Sequence, residues 1–321
     1  MIRLSSRFTW YFVALFLLAL GGSAFAEIRY QNLWWLPSNY TKIGEDIDYL
    51  YNGIFWLTLV VFIITEFLLF YWLIKFREQP GRKALYSHGN NTFEIIWTII
   101  PAIIFFALAF ISNHRWYTYF PSDGQYGTAY NKLTGHLPTA LGDVIRFEGK
   151  IPEDKILIEI TAEQYGFNIR YPGEDGVLGA HDERMVRKDN KLGLIADDAA
   201  GKDDITLYNE MVIPVSRAVQ IQLRSRDVIH SFYVPEFRLY QDAVPGKTIS
   251  YLWFETTNLA KISLACSQLC GSGHYNMQGK ISVVSQADYD QWMSAKIEEK
   301  KKSMTTQSPI QSSSTLISKK N

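Results

Sequence analysis

Two nearly unbroken apolar runs, residues 54–74 and 93–111, limit what this chain can fold into more than any other feature. Each is about 20 residues, long enough for a helix to cross the hydrocarbon core of a bilayer. Inside lipid every backbone N–H and C=O must be paired within its own segment, so both runs are expected to be helical. Pro101 falls inside the second run, which is tolerated where neighbouring groups satisfy the freed carbonyl. Glu66 falls inside the first. An acid at that depth is costly and turns toward protein or water, so it reads as packed against another subunit. The short loop between the runs carries Lys75, Arg77, Arg82 and Lys83. Such a loop stays on the cytoplasmic side, which puts both outer ends on the far side.

The N-terminus agrees with export. Arg3 and Arg7 precede an apolar stretch, residues 9–20, and Ala24-Phe25-Ala26 is a small-x-small cleavage pattern. Residues 1–26 therefore read as a signal peptide, the competing reading being a retained anchor. Residues 27–52 form a lead-in containing Trp34, Trp35, Tyr40 and Tyr49, aromatics of the kind that settle at a membrane–water interface. The expected organisation continues with a first span over 53–76, a cytoplasmic loop over 77–92 and a second span over 93–111. An extracytoplasmic domain over 112–290 and a helix end with a disordered tail over 291–321 complete it.

Within the outer domain, residues 120–154 read as a long connection. Short β-like runs follow at 155–161, 165–171, 205–207, 211–215, 218–224, 228–234, 248–254, 261–265 and 280–284. Many short strands at close spacing indicate a β-sandwich or barrel. A polar excursion, residues 172–204, interrupts them. Residues 287–302 read as a surface helix, and the Ser/Thr/Gln-rich tail from 303 as disordered. The expected fold class is thus α+β: a two-helix transmembrane hairpin followed by a β-sandwich or barrel. Lys and Arg total 32 and Asp and Glu total 32. A chain without a basic excess carries no nucleic-acid footprint.

The chain has two cysteines, and both sit in Cys266-Ser267-Gln268-Leu269-Cys270-Gly271-Ser272-Gly273-His274-Tyr275-Asn276-Met277. Two thiols, an imidazole and a thioether form a soft donor set, which selects copper, zinc or iron–sulfur over magnesium or calcium. The methionine favours copper, because structural zinc takes four Cys or His donors. A disulfide is the remaining alternative, since exported proteins retain them, though so small a ring stabilises little. No Cys-x-x-Cys-His occurs, so no covalently attached haem is expected. A further donor is sought elsewhere, and His230 in Asp227-Val228-Ile229-His230-Ser231-Phe232-Tyr233-Val234-Pro235 is the candidate. A lone histidine on a strand is more often an ordinary core residue; the sulfur-rich loop in the same domain favours the ligand reading.

These motifs together resemble subunit II of the haem–copper cytochrome c oxidases, from about residue 54 to Met277. The sulfur loop is similar to the family's binuclear copper (CuA) loop. The His230 segment, with Asp242-Ala243-Val244-Pro245-Gly246 after it, is similar to the family's other ligand segment. Thr92-Phe93-Glu94-Ile95-Ile96-Trp97-Thr98-Ile99-Ile100-Pro101-Ala102 resembles the start of its second helix. The resemblance implies a cupredoxin domain holding two coppers, with Cys266 and Cys270 as bridging thiolates. It implies His230 and His274 as one ligand each, Met277 as a weak axial ligand and the Gln268 backbone carbonyl opposite it. Asp227 would orient a ligand from behind.

The resemblance also implies partners: subunit I, other oxidase subunits, the membrane, and cytochrome c as electron donor. Electrons would pass to haem in subunit I, where oxygen is reduced, with proton translocation. The location implied is a bacterial inner membrane, with the copper domain in the periplasm. Glu94 would open a proton-uptake path, its simpler reading being an acid favoured at a helix N-terminus. Two departures stand out. Gln268 replaces a glutamate that helps hold magnesium at the subunit interface, and an amide is a poorer cation donor. Asp242 matches only an outer neighbour of that ion. Where the family has tryptophans that receive the electron, this chain has Tyr165 and Phe167. They are expected to form the docking patch, unless they are ordinary core and rim residues. The outer domain carries more acids than bases, which suits a basic donor.

Overall fold

The computed structural model describes residues 36–83, 86, 88–119 and 151–307, with Ala14 and Leu18 besides. The expected signal peptide, Trp34 and Trp35, nearly all of the 120–154 connection and the tail beyond 307 lie outside the described residues. The chain divides into two compact units, Met1–Ser38 with Asp46–Asn113, and Asn39–Glu45 with His114–Asn321.

The first unit holds most of helix α1 (Lys42–Lys75) and most of helix α2 (Asn91–Tyr119). Both are long and apolar enough to cross a membrane, and none of either apolar window is buried within the chain. The threonines of the first run are satisfied locally. Thr58 and Thr65 donate to the carbonyls of Ile54 and Val61, each at 2.9 Å. Asn90 caps α2, its Oδ1 accepting from the N–H of Thr92 (3.0 Å) and Phe93 (3.3 Å), which pairs donors a helix start leaves open. Helix α1 starts earlier than the sequence suggests, so much of the 27–52 lead-in is helical. Its first turn counts with the second unit: Ile43 is buried there, Thr41 Oγ1 donates to Phe237 O (3.0 Å), and Lys42 pairs with Glu255.

The second unit is a two-sheet β-fold. One sheet is ordered β3-β2-β1-β5-β8, from β1 (Ile156–Glu163), β2 (Gly166–Tyr171), β3 (Ile205–Tyr208), β5 (Ala218–Ser225) and β8 (Ile249–Glu255). The other is ordered β4-β10-β9-β6-β7, from β4 (Glu210–Pro214), β6 (His230–Val234), β7 (Leu239–Ala243), β9 (Ala260–Ala265) and β10 (Gln278–Val284). Pairs β1–β5 and β10–β4 are parallel and the rest antiparallel. Ile158, Ile160, Ile221, Phe232, Ile213 and Ile281 fill one core, each fully buried. Nine of the ten strands match β-like runs in the sequence; β7, with Tyr240, Gln241 and Asp242 at its centre, carries no β-branched run to mark it.

The first sheet is buried on its other face too. Every residue of β2 is buried, including Arg170 at 1 % exposure. Arg170 forks onto Glu159 (Nε–Oε1 3.0 Å, Nη2–Oε2 2.7 Å) and reaches Asp204 (2.5 Å). Arg224 joins Glu159 at 3.2 Å. These arginines also donate to the carbonyls of Gly179 and Leu192, so the 172–204 excursion is tied down over the sheet. Helix α3 (Gln286–Gln307) runs past both ends of its expected range. Ser285 caps it, accepting from Asp288 N–H at 3.1 Å, and Trp292 stacks edge-on against Tyr171 at 5.2 Å.

Candidate metal centre

The sulfur-rich loop is the connection of the β9–β10 hairpin. Gln278 pairs with Ala265 and Cys266 N–H donates to Met277 O at 3.2 Å, so both loop ends are pinned to one place. Strand β6 lies beside β9 and begins at His230. Ser231, fully buried, accepts from Ser267 N–H at 2.5 Å and fixes the loop to that strand. Sequence neighbours thus become a cage by ordinary β-pairing.

Among the described residues, His230, Cys266 and Cys270 form a buried group whose donor atoms all lie within 4.8 Å of one another. Cys270 Sγ is the hub: 3.9 Å from Cys266 Sγ, 3.7 Å from His274 Nδ1 and 3.8 Å from Met277 Sδ. Cys266 Sγ lies 3.1 Å from the Gln268 carbonyl. Both cysteines are free thiols, which sets the disulfide alternative aside. Two sulfurs each about 2.3 Å from one metal at a tetrahedral angle stand about 3.8 Å apart, close to the spacing here. In the metal-free chain, burial and the neighbouring Cys266 push the Cys270 thiol up to about 11, so metal uptake must displace a proton.

His230 supplies the sharpest sign of a ligand. Its Nε2 lies 2.7 Å from Asp227 Oδ1. Burial alone would raise the Asp227 carboxyl, but that bond and the N–H groups of Gln164 and Val228 outweigh it and hold it below its ordinary value. An ionised Asp227 keeps the ring proton on Nε2. The other nitrogen, Nδ1, is buried and has no hydrogen-bond partner. A buried polar atom left unpaired is costly, and a metal beside the two thiols would satisfy it. The soft donors therefore fit copper. Near the expected magnesium position, Gln268 offers a neutral amide, a weaker cation donor than a carboxylate, and Tyr240 donates to Asp242 Oδ1 at 2.7 Å.

The expected docking aromatics separate. Tyr165 lies in the two-residue β1–β2 turn rather than in a strand and is 36 % exposed. Its ring covers the loop: a Cβ on Gly273 would meet Tyr165 Cδ2 at 2.5 Å, and one on Gly271, at φ +135, would meet its hydroxyl at 2.6 Å. Only glycine allows that backbone and that approach. Phe167 is a correction. It is fully buried in the core, because the β2 alternation points it inward, and it forms no part of a surface. Glu94 is exposed in the first turn of α2. Gln164 and Ser231 escaped the sequence reading, since a glutamine in a turn and a serine in a strand carry no metal signature.

Fold and site together define a membrane-anchored cupredoxin-like protein. A family model described as cytochrome c oxidase subunit II, transmembrane domain, matches residues 31–114, and one described as the periplasmic domain of the same subunit matches 179–284. The alternative cytochrome c oxidase subunit 2 of Bradyrhizobium diazoefficiens is 30% identical over 287 residues, 88% of this chain and 90% of that protein. Cytochrome c oxidase subunit 2 of Cereibacter sphaeroides is 27% identical, over 79% of this chain and 77% of the other. Among solved structures, the periplasmic domain of subunit II from Bradyrhizobium japonicum is 27% identical over 47% of this chain and 99% of its own, with a TM-score of 0.35. The chain belongs to the cytochrome c oxidase subunit II family, the second subunit of a haem–copper oxidase.

Proposed function

We propose that this chain accepts electrons outside the membrane at a binuclear copper centre and passes them to haem in subunit I. The observation that carries the reading is the buried, unpaired Nδ1 of His230, a residue grouped with two buried free thiols. Cys266, Cys270, His230 and His274 would hold the copper pair, with Met277 and the Gln268 carbonyl as weaker donors. When bound, the copper pair would supply one-electron redox chemistry at this site. Asp227 holds the His230 ring, Ser231 holds the loop, and the two sheets keep water from the sulfurs. A rigid cage of this kind needs little rearrangement when charge arrives. His274, only partly buried, is the exit contact. The relatives' names supply cytochrome c as the donor, and the acid excess of the outer domain suits a basic protein. The outer domain occupies 112–290 and faces the periplasm of a bacterial inner membrane.

Copper analysis and an EPR spectrum of the purified protein test this. Two coppers per chain with a delocalised signal are expected; a colourless protein with a redox-inert thiol pair would end the proposal.

Two residues carry subsidiary roles. Tyr165→Ala should slow reduction by cytochrome c about tenfold, as loss of an aromatic anchor does at other interfaces. Stopped-flow rates no lower than those of a remote surface variant such as Lys261→Ala would remove Tyr165 from the docking patch. Glu94, at the start of α2, is assigned to proton uptake toward subunit I. Glu94→Gln in assembled oxidase should lower turnover at least about tenfold, the scale of a lost proton-transfer group. Unaltered proton uptake would leave it as a helix-start acid only.

A further inference from the structure

The tip of the β1–β2 hairpin belongs to the first sheet, whereas the sulfur loop belongs to the second. Gln164 at that tip holds both sides of the site. Its side-chain Nε2 donates to Cys270 O at 2.6 Å. Its backbone N–H donates to Asp227 Oδ2 at 2.8 Å, and the other oxygen of that carboxylate orients His230. Residues separated by more than a hundred positions in the chain are thereby locked through one side chain. The hairpin tip is itself braced: the preceding Glu163 is 2 % exposed and paired with Arg226 and Lys191. Gly271 complements this, since a Cβ there would meet Gln164 Nε2 at 2.9 Å. Gln164 also lies between the two intervals matched by the family models.

We propose that Gln164 is a positioning residue that fixes the Cys270 loop against the Asp227–His230 pair and so sets the ligand geometry. The proposal deepens the copper reading and rests on it. The loop has few holds of its own; three of its amides, His274, Asn276 and Met277, bond only to carbonyls within the loop. Without the Gln164 amide, the Cys270 carbonyl loses its tie to the first sheet, and the loop is held by its hairpin ends, by Ser231 and by Tyr165, whose hydroxyl lies 3.2 Å from Ser272 Oγ. Asp227 keeps its backbone donor in any such variant.

The test uses the full chain in detergent with two substitutions. Gln164→Ala removes the side-chain donor. Gln164→Glu keeps size and packing but presents a carboxylate that cannot donate to a carbonyl. In the metal-free chain, hydrogen exchange at the His274, Asn276 and Met277 amides should be about tenfold faster in both, the scale of one lost hydrogen bond, while residues 281–283 stay unchanged. After loading with copper, both variants should lose metal to EDTA about 10- to 100-fold faster than wild type, as for other outer-sphere partners, with altered hyperfine splitting. Exchange, copper loss and spectra equal to wild type in both variants would overturn the proposal. Should the wild-type chain take up no copper, the electron-relay reading falls, and the exchange comparison alone upholds or overturns the role of Gln164.

Discussion

Cys270→Ser is expected to abolish the copper pair and to cut electron uptake from cytochrome c more than ~100-fold, beyond the range typical of outer-sphere partners. The reason is geometric. Cys270 Sγ sits within 4 Å of three other donor atoms, the Cys266 sulfur, His274 Nδ1 and Met277 Sδ. A serine hydroxyl is a hard donor that stays protonated at neutral pH, so it neither bridges soft metals nor supplies charge. The fold should survive, since serine is nearly isosteric and Cys270 is joined to the scaffold through its carbonyl, not its sulfur. Copper content, the EPR signal and stopped-flow reduction read the effect separately. A variant that still holds two coppers with an unaltered spectrum would show that the thiolate is not a bridge.

Arg170→Met is expected to destabilise the outer domain by about 3–5 kcal/mol, the cost of breaking a buried charge pair by removing one partner. Methionine fills similar space, but Glu159 and Asp204, at 1 % and 2 % exposure, would lose a forked arginine. Domain stabilities are about 5–15 kcal/mol, so the loss is a large share of the total. For a domain of this size the unfolding midpoint should fall by about 10 °C. A shift under about 3 °C would mean that Arg224 alone satisfies the cluster.

The same cluster links stability to pH in both senses, since burial holds the Asp204 carboxyl above its ordinary value despite Arg170. Burial alone would raise the Glu159 carboxyl, yet the Arg170 hydrogen bond and the charges of Arg224 and Arg170 outweigh it and hold it below its ordinary value. Glu163 is lowered likewise, its burial outweighed by Arg226, Asn168 and Lys191. Both folded-state values lie below the unfolded ones. Their stabilisation is therefore fully present above about pH 4.5 and is lost as pH falls through the folded values. Arg170→Met should make the unfolding midpoint less dependent on pH in that window.

Much of this was legible in the residues. The spans declare themselves because lipid demands unbroken apolar helices, and the strands because short β-branched runs recur between turns. The donor set was legible because Cys266, Cys270, His274 and Met277 are close in sequence, and soft ligands so arranged have few uses. What the sequence hid depends on contacts across the fold. Phe167 looked like a surface aromatic beside Tyr165, but strand alternation turns successive side chains to opposite faces, and both faces of β2 are covered. Glu159, Arg170 and Arg224 looked like ordinary strand charges, and their burial follows from an excursion whose path a single sequence does not specify. Gln164 acts on residues far along the chain, and no local pattern marks that.

The two sheets meet at the hairpin tip. His230 arrives on one strand, the sulfurs on a later connection, and the bracket behind them on a hairpin made much earlier. One loop holds Cys266, Cys270, His274 and Met277, but His230 begins a separate strand and Gln164 lies on a hairpin of the other sheet, so the full cage exists only once both sheets are in place. The complete donor set is therefore a property of the closed fold rather than of any one segment.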